Sequence, residues 1–181
     1  MATKARRVLI AVDTSEASRY AVSWSLDHIL RKDDHIVVVS ICWVPHLFSV
    51  GYFGFPKWWA ETMEEVRTNA EKFLSELRVM ALEKGFTINT ETKSGDPREE
   101  IIQYAEDVDA EFIIVGAHGQ SHEGVLEDEH GKTTTTVLKK LTTGSISNHI
   151  MQHASVPVMV VRKVYKETPE IQGADLLAPT N

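Results

Sequence analysis

Apolar positions along this chain follow two rhythms. Arg6–Val12 (RRVLIAV) and His35–Cys42 (HIVVVSIC) are short apolar runs, the second crowded with β-branched residues, as strands buried on both faces require. Glu111–Ala117 (EFIIVGA) and Val156–Val161 (VPVMVV) are two more such runs, and FTINTET (Phe86–Thr92) alternates as a strand does. Between them the apolar residues recur at helical steps. Ala17, Ala21 and Trp24, continued by Leu26 and Ile29, form one face; Val66, Ala70, Phe73, Leu77 and Met80 form another within about Ala60–Lys84; Ile101, Ile102 and Ala105 form a third. The punctuation agrees. Asp13 reads as an N-cap with Glu16 completing a capping box, and Gly85 as the residue that ends the second helix. Asp96, Pro97 and Glu99 mark a helix start, and a last helix is expected from near Gly144.

Five strands separated by helices predict an α/β fold: one domain, an open parallel sheet and right-handed crossovers. In such a sheet ligands bind at the carboxyl ends of the strands, where the strand order reverses. An order of 3-2-1-4-5 would put that crevice between strands 1 and 4, whose carboxyl ends carry Asp13 and Gly116–Gly119. The hydrophobic pattern alone does not supply the order. Beyond Lys166 the chain has Pro169, Gly173 and Pro179 and no period, so residues 166–181 are expected to be a flexible tail.

Composition narrows the classes of function. Hydrophobic residues make up 43% and charged residues 25%, ordinary values for a globular protein. No apolar run approaches the ~20 residues of a membrane span. The basic start MATKARR leads into an apolar run too short for a secretory signal, and Asp13 interrupts it. Cys42 is the single cysteine, which leaves no disulfide framework and suggests a reducing, cytoplasmic setting. A net charge of −7 argues against non-specific nucleic-acid binding, which needs a basic face. It does not argue against a small anion held by backbone dipoles.

The segment after strand 4 invites a phosphate. It contains Gly116, Gly119, Gly124, Gly131 and Gly144, and Gly131–Thr133 spells GKT. A P-loop needs a glycine, four residues, then Gly-Lys-Ser/Thr, so that amides wrap the phosphates closely. Here six residues, not four, separate Gly124 from Gly131, and they include Glu127, Asp128 and Glu129, whose carboxylates would repel a triphosphate. No G-x-G-x-x-G follows strand 1, and no G-x-S-x-G elbow is present, so dinucleotide and serine-hydrolase readings fail despite Ser145, His118 and Asp13. Gly116-x-x-Gly119 and Gly144-Ser145 remain. The first pair lets the backbone turn closely against a ligand; the second opens a helix whose free amides favour an anion, with Ser145 and Ser147 as hydroxyl donors. On spacing alone, a plain turn and a plain helix cap explain these residues as well.

Three stretches taken together resemble the universal stress protein family: AVDTSEAS after strand 1, SGDPREEIIQYAEDVDAEFIIVGAHG, and LTTGSISNHIMQHASVPVMVVRK. The resemblance covers roughly Arg6 to Arg162, within a domain taken as residues 1–165. It implies a five-stranded parallel sheet of order 3-2-1-4-5 with helices on both faces, the adenine nucleotide alpha hydrolase-like fold. The nucleotide-binding branch carries G-x2-G-x9-G-[ST], and Gly116, Gly119, Gly144 and Ser145 match its fixed positions. The resemblance further implies His118, Ile146 and Ser147 near the phosphates. It implies Asp13 near the adenosine with Ala11, Val12 and Thr14 beside it, Ile41 at the adenine, and Val115 against base or ribose. It implies ATP or AMP as the ligand, with magnesium as an accompanying ion, and a regulatory homodimer paired through strand 5 (about 156–163). One departure stands out. The family gap of nine residues is here 24, Gln120–Thr143, with the excess assigned to an insertion at about 120–134. A slow ATPase using Asp13 or His118 as base, and a nucleotide-free scaffold, are the alternative functions.

Two further features stay open. Trp43–Trp59 holds seven of the 14 aromatic residues, punctuated by Pro45, Gly51, Gly54 and Pro56. It suits packing over the sheet edge, a lid over the adenine, or a partner surface. His118, His122 and His130 stand near Glu123, Glu127 and Asp128, donor types that suit a divalent ion, but no spacing fixes their geometry and no metal is assigned to them.

Overall fold

Five parallel strands pair in the order β3-β2-β1-β4-β5, and two helices cover each face. The elements are β1 (Arg7–Val12), α1 (Glu16–His28), β2 (His35–Trp43), α2 (Lys57–Glu83), β3 (Ile88–Gly95), α3 (Pro97–Asp107), β4 (Phe112–Gly116), α4 (Ser145–His153) and β5 (Val158–Val161). The computed structural model describes residues 5–43, 57–117 and 144–162. His118, Gly119, the 120–134 insertion, the GKT triplet, the 166–181 tail and nearly all of the aromatic stretch after Trp43 lie outside these residues.

The strand at the centre explains the continuous apolar runs. β1 pairs with β2 from Arg7 opposite His35 to Val12 opposite Ser40, and with β4 from Val8 opposite Phe112 to Ala11 opposite Val115. Alternate residues of one strand therefore enter different cores. Val8, Ile10 and Val12 join Ile36, Val38 and Ile114 beneath α1 and α2, with Val22, Leu26, Phe73, Leu74 and Leu77. Leu9 and Ala11 join Val39, Ile113 and Val115 beneath α3 and α4, with Ile101, Tyr104, Ala105 and Ile150. A strand with helices on both sides has no polar face, so it reads as an unbroken apolar run.

Element ends differ from the sequence expectation in three places, each for a local reason. Asp13 is not the N-cap of α1. Ser15 is, with φ −82° and ψ 157°, and its Oγ accepts from the Ser18 amide at 3.2 Å. Asp13 stands too early to reach that amide and instead accepts from the Ser15 amide at 3.2 Å. β3 begins at Ile88 rather than Phe86, because the Phe86 amide closes α2 on the Ala81 carbonyl while the Gly85 amide binds Leu82 O. That paired closure needs a left-handed residue, and Gly85 supplies φ +74°. α2 starts at Lys57, earlier than its apolar period shows, since that period begins only at Val66. The start of α3 is as expected: Asp96 accepts from the Arg98 amide at 3.0 Å and Pro97 occupies the first turn.

An ion pair pins the amino ends of β1 and β2 together. Arg6 donates to Asp34 through Nε at 2.9 Å and Nη2 at 2.6 Å, and Nη2 also reaches Ile29 O at 3.1 Å. The Asp34 side chain is fully buried and takes the Arg31 amide at 2.8 Å as well. Burial pushes the Asp34 carboxyl up, but the guanidinium and that amide outweigh it and hold it below the usual carboxylate range.

Candidate functional site

The crevice lies where β1 and β4 run side by side and their following helices part. β1 leads to α1, on the α1/α2 face, while α4 packs on the opposite face with α3. The carboxyl ends of two adjacent strands thus lead on to helices that lie on opposite faces of the sheet, the arrangement of a topological switch point.

On the β1 side the chain leaves the sheet through a polar knot. Asp13 Oδ1 accepts from the Ser15 amide at 3.2 Å, from Ser15 Oγ at 2.5 Å and from Ser18 Oγ at 2.6 Å. Ser18 Oγ in turn accepts from the Asp13 amide at 3.1 Å. Ser18 is buried, so this hydroxyl has both its donor and its acceptor capacity used inside the turn. Asp13 and Thr14 are half-buried at the strand's end. The knot was only partly legible in the sequence. Asp13 was visible as a polar residue ending an apolar run, whereas Ser15 and Ser18 carry no motif beyond an S-x-x-S spacing.

On the β4 side, Gly116 remains in the sheet opposite Val161, and Ala117 continues the pairing through its amide to Val161 O at 2.9 Å. The Ala117 carbonyl then accepts from the Gly144 amide at 2.6 Å. This bond ties the end of β4 directly to the start of α4. Ser147 reinforces it: its buried hydroxyl donates to Gly144 O at 3.0 Å and lies 3.4 Å from Ala117 O. The Ser147 hydroxyl therefore points into the protein, where it braces the turn. Ala117 was not singled out from the sequence, because its contribution is made entirely by backbone atoms.

Gly144 is the N-cap of α4, with φ −57°, ψ 153° and no side-chain capping bond. That backbone is open to any residue, so φ does not call for glycine here; a bare N-cap with no side chain over the helix mouth is what glycine contributes. The first intrahelical bond runs from the Asn148 amide to Gly144 O at 2.9 Å. The amides of Ser145, Ile146 and Ser147 precede it and are the end donors of the helix, at the positive end of its dipole. Ser145 and Ile146 are exposed.

The apolar candidates divide between the two faces. Ala11 and Val115 are buried on the α3/α4 face, and half-buried Ile41 packs against the same cluster. Val12 is buried on the α1/α2 face. The structure thus brings Asp13, Thr14, Gly116, Gly144, Ser145, Ile146 and Ser147 to the carboxyl ends of adjacent strands. Among the described residues no group of three or more His, Cys, Asp and Glu side chains is placed to hold a metal.

This architecture meets a match that covers nearly the whole chain: residues 4–162 fit the family model described as the universal stress protein family. The chain belongs to the universal stress protein family. It is 25% identical over 162 residues to Universal stress protein MJ0531 of Methanocaldococcus jannaschii, covering 90% of this chain and 85% of that one. It is 26% identical over 166 residues to a longer Schizosaccharomyces pombe protein, covering 91% of this chain but only 24% of that one. Among solved structures it resembles an Arabidopsis thaliana universal stress protein family protein with AMP bound, at TM-score 0.59 and 20% identity, covering 92% and 97% of the two chains. It also resembles a universal stress protein in complex with cAMP, at TM-score 0.56 and 17% identity over 88% and 98% of the chains. A third, from Archaeoglobus fulgidus in complex with dAMP, has TM-score 0.56 and 16% identity over 87% and 98%. The strand order and layered architecture of this universal stress protein are those expected from its three motifs. No helix among the described residues is long and apolar enough to cross a membrane.

Proposed function

We propose that this universal stress protein is a regulatory adenine-nucleotide-binding protein that takes ATP or AMP in the β1/β4 crevice. The observation that carries the reading is the Gly144–Ala117 hydrogen bond of 2.6 Å, which holds the mouth of α4 against the end of β4 even though 24 residues replace the nine of the family spacing. The amides of Ser145, Ile146 and Ser147 and the Ser145 hydroxyl suit the phosphate, since free helix amides and the dipole favour an anion. The family resemblance assigns Gly116, His118 and Gly119 to the facing wall, Asp13 and Thr14 to the ribose side, and Ala11, Val12, Ile41 and Val115 to the base; His118 and Gly119 lie outside the described residues. The AMP, cAMP and dAMP complexes of relatives support adenine nucleotides as the ligand class. Magnesium, where a triphosphate brings it, is held mainly by phosphate and water. Binding shifts the loops at the crevice and so changes partner affinity, in a cytoplasmic homodimer paired through β5.

Calorimetry of the full chain with ATP, AMP and cAMP tests this. Heat of binding is expected with at least one of them, and no heat with any overturns the reading. Gly144→Val places a branched side chain at the helix mouth and is expected to weaken phosphate-bearing ligands by at least about tenfold, the loss of one or two charge-assisted amide contacts. Unchanged affinity in a folded Gly144→Val protein would move the site elsewhere.

A further inference from the structure

The other end of α4 carries a pair of imidazoles that the nucleotide reading does not use. His149 and His153 are four residues apart, so they stand one above the other on one face of the helix. Their ring centroids are 4.0 Å apart and their planes are inclined by 16°. His153 Nδ1 is 2.8 Å from His149 O, a contact in which Nδ1–H donates to the carbonyl. In the neutral ring that bond places the proton on Nδ1 and leaves the Nε2 lone pair free, the arrangement in which imidazole serves as a metal ligand. His153 is exposed and His149 half-buried, so solvent ions reach the pair, and it is the His149 ring that turns out of the stack to meet an ion on His153.

We propose that His149 and His153 form a two-imidazole site for a divalent transition metal of the nickel, copper and zinc group. Two histidines at this spacing on a helix present two nitrogens to one ion, and imidazole suits these metals over magnesium or calcium. The helix beneath the pair is held in place: Ile150, between the two histidines, is fully buried, and Ser147 is buried one turn earlier. His153 sits in the last turn of α4, where the helix dipole is negative and favours a cation, with His149 one turn before it. No third protein ligand completes the set among the described residues. Water therefore fills the remaining positions, and the site is an open one rather than a closed structural centre.

The test is calorimetric titration of the full chain with NiCl2 and ZnCl2 at neutral pH. One saturable site is expected, and its affinity should fall by at least about tenfold in His149→Asn and in His153→Asn alike, the loss that even outer-shell changes produce at metal sites. The double variant Met151→His with His153→Met keeps the composition but moves the second ring two residues from His149, to the other side of the helix, and should lose the site equally. A control, His122→Asn with His130→Asn, should leave it intact. Circular dichroism confirms that each variant is folded. No binding of either metal at millimolar concentration overturns the proposal. So does binding that survives in His149→Asn and His153→Asn but vanishes in the control. AMP affinity, measured separately, keeps this outcome distinct from that of the nucleotide site.

Discussion

Replacing Asp13 by alanine separates what this carboxylate does for the fold from what it does for a ligand. Its Oδ1 accepts from the Ser15 amide, Ser15 Oγ and Ser18 Oγ at 3.2, 2.5 and 2.6 Å. Alanine leaves the buried Ser18 hydroxyl without its acceptor, and an unsatisfied buried donor costs about 1–3 kcal/mol. It also frees Ser15 Oγ, which caps α1 by accepting from the Ser18 amide, and a weakened N-cap costs about 0.5–2 kcal/mol. The two losses share one network and do not add fully, so about 2–3 kcal/mol is expected for Asp13→Ala. Asp13→Asn keeps an oxygen at the same place but without charge. Charge-assisted bonds are roughly twice as strong as neutral ones, so about 1 kcal/mol is expected there. Urea unfolding at 25 °C, without nucleotide and with unchanged m-value, measures both. If asparagine and alanine cost the same, or if both cost under about 0.5 kcal/mol, the knot does not support the turn as argued. The result also decides how a loss of nucleotide binding in Asp13→Ala should be read, since a ruined turn and a missing ligand contact look alike in a binding assay.

Two further perturbations test the frame. A double-mutant cycle on Arg6 and Asp34 should show a coupling of about 1–3 kcal/mol, the range for partners in one hydrogen-bonded ion pair, with the Asp34 side chain fully buried and the Arg6 side chain 23% exposed. The folded-state pKa of Asp34 is depressed, so its contribution is present above the unfolded carboxylate value of about 3.9 and is lost as pH falls through the lower folded value; the stability difference between wild type and Asp34→Asn should shrink below about pH 4. Gly85→Ala should cost about 1–2 kcal/mol through backbone strain at φ +74°, because the nearest atom to the new Cβ is the movable Lys32 Nζ at 3.4 Å; a loss below 0.5 kcal/mol in thermal unfolding would mean the helix end relaxes out of its left-handed turn.

The sheet was legible because its residues speak individually. Val8 to Val12 and Ile113 to Val115 are buried on both faces, and a doubly covered strand leaves no choice but apolar side chains. Asp96 and Pro97 announced α3 because a side-chain cap and a fixed φ are properties of single residues. The strand order was not legible in the pattern: β1 pairs with β4 across about a hundred residues, and no local signal records such a partner. It came from resemblance alone. At the site the same division holds. Gly116, Gly144 and Ser145 stood out as residues, but the contact that joins the two sides belongs to the backbone of Ala117, which any residue type provides. Asp13 was visible yet assigned the wrong partner, because Asp and Ser cap helices equally well and sequence does not say which oxygen arrives first.

The Ala117–Gly144 bond also bears on how the family diversifies. It makes the two walls neighbours irrespective of the contour length that separates them in sequence. Closing a chain costs free energy only logarithmically with its length, so lengthening the gap from nine residues to the 24 of Gln120–Thr143 adds about 0.9 kcal/mol as polymer entropy. That is a small fraction of the stability of an ordinary domain. The junction therefore behaves as a splice point, where sequence can be gained or exchanged at little thermodynamic expense while the crevice beside it keeps its shape.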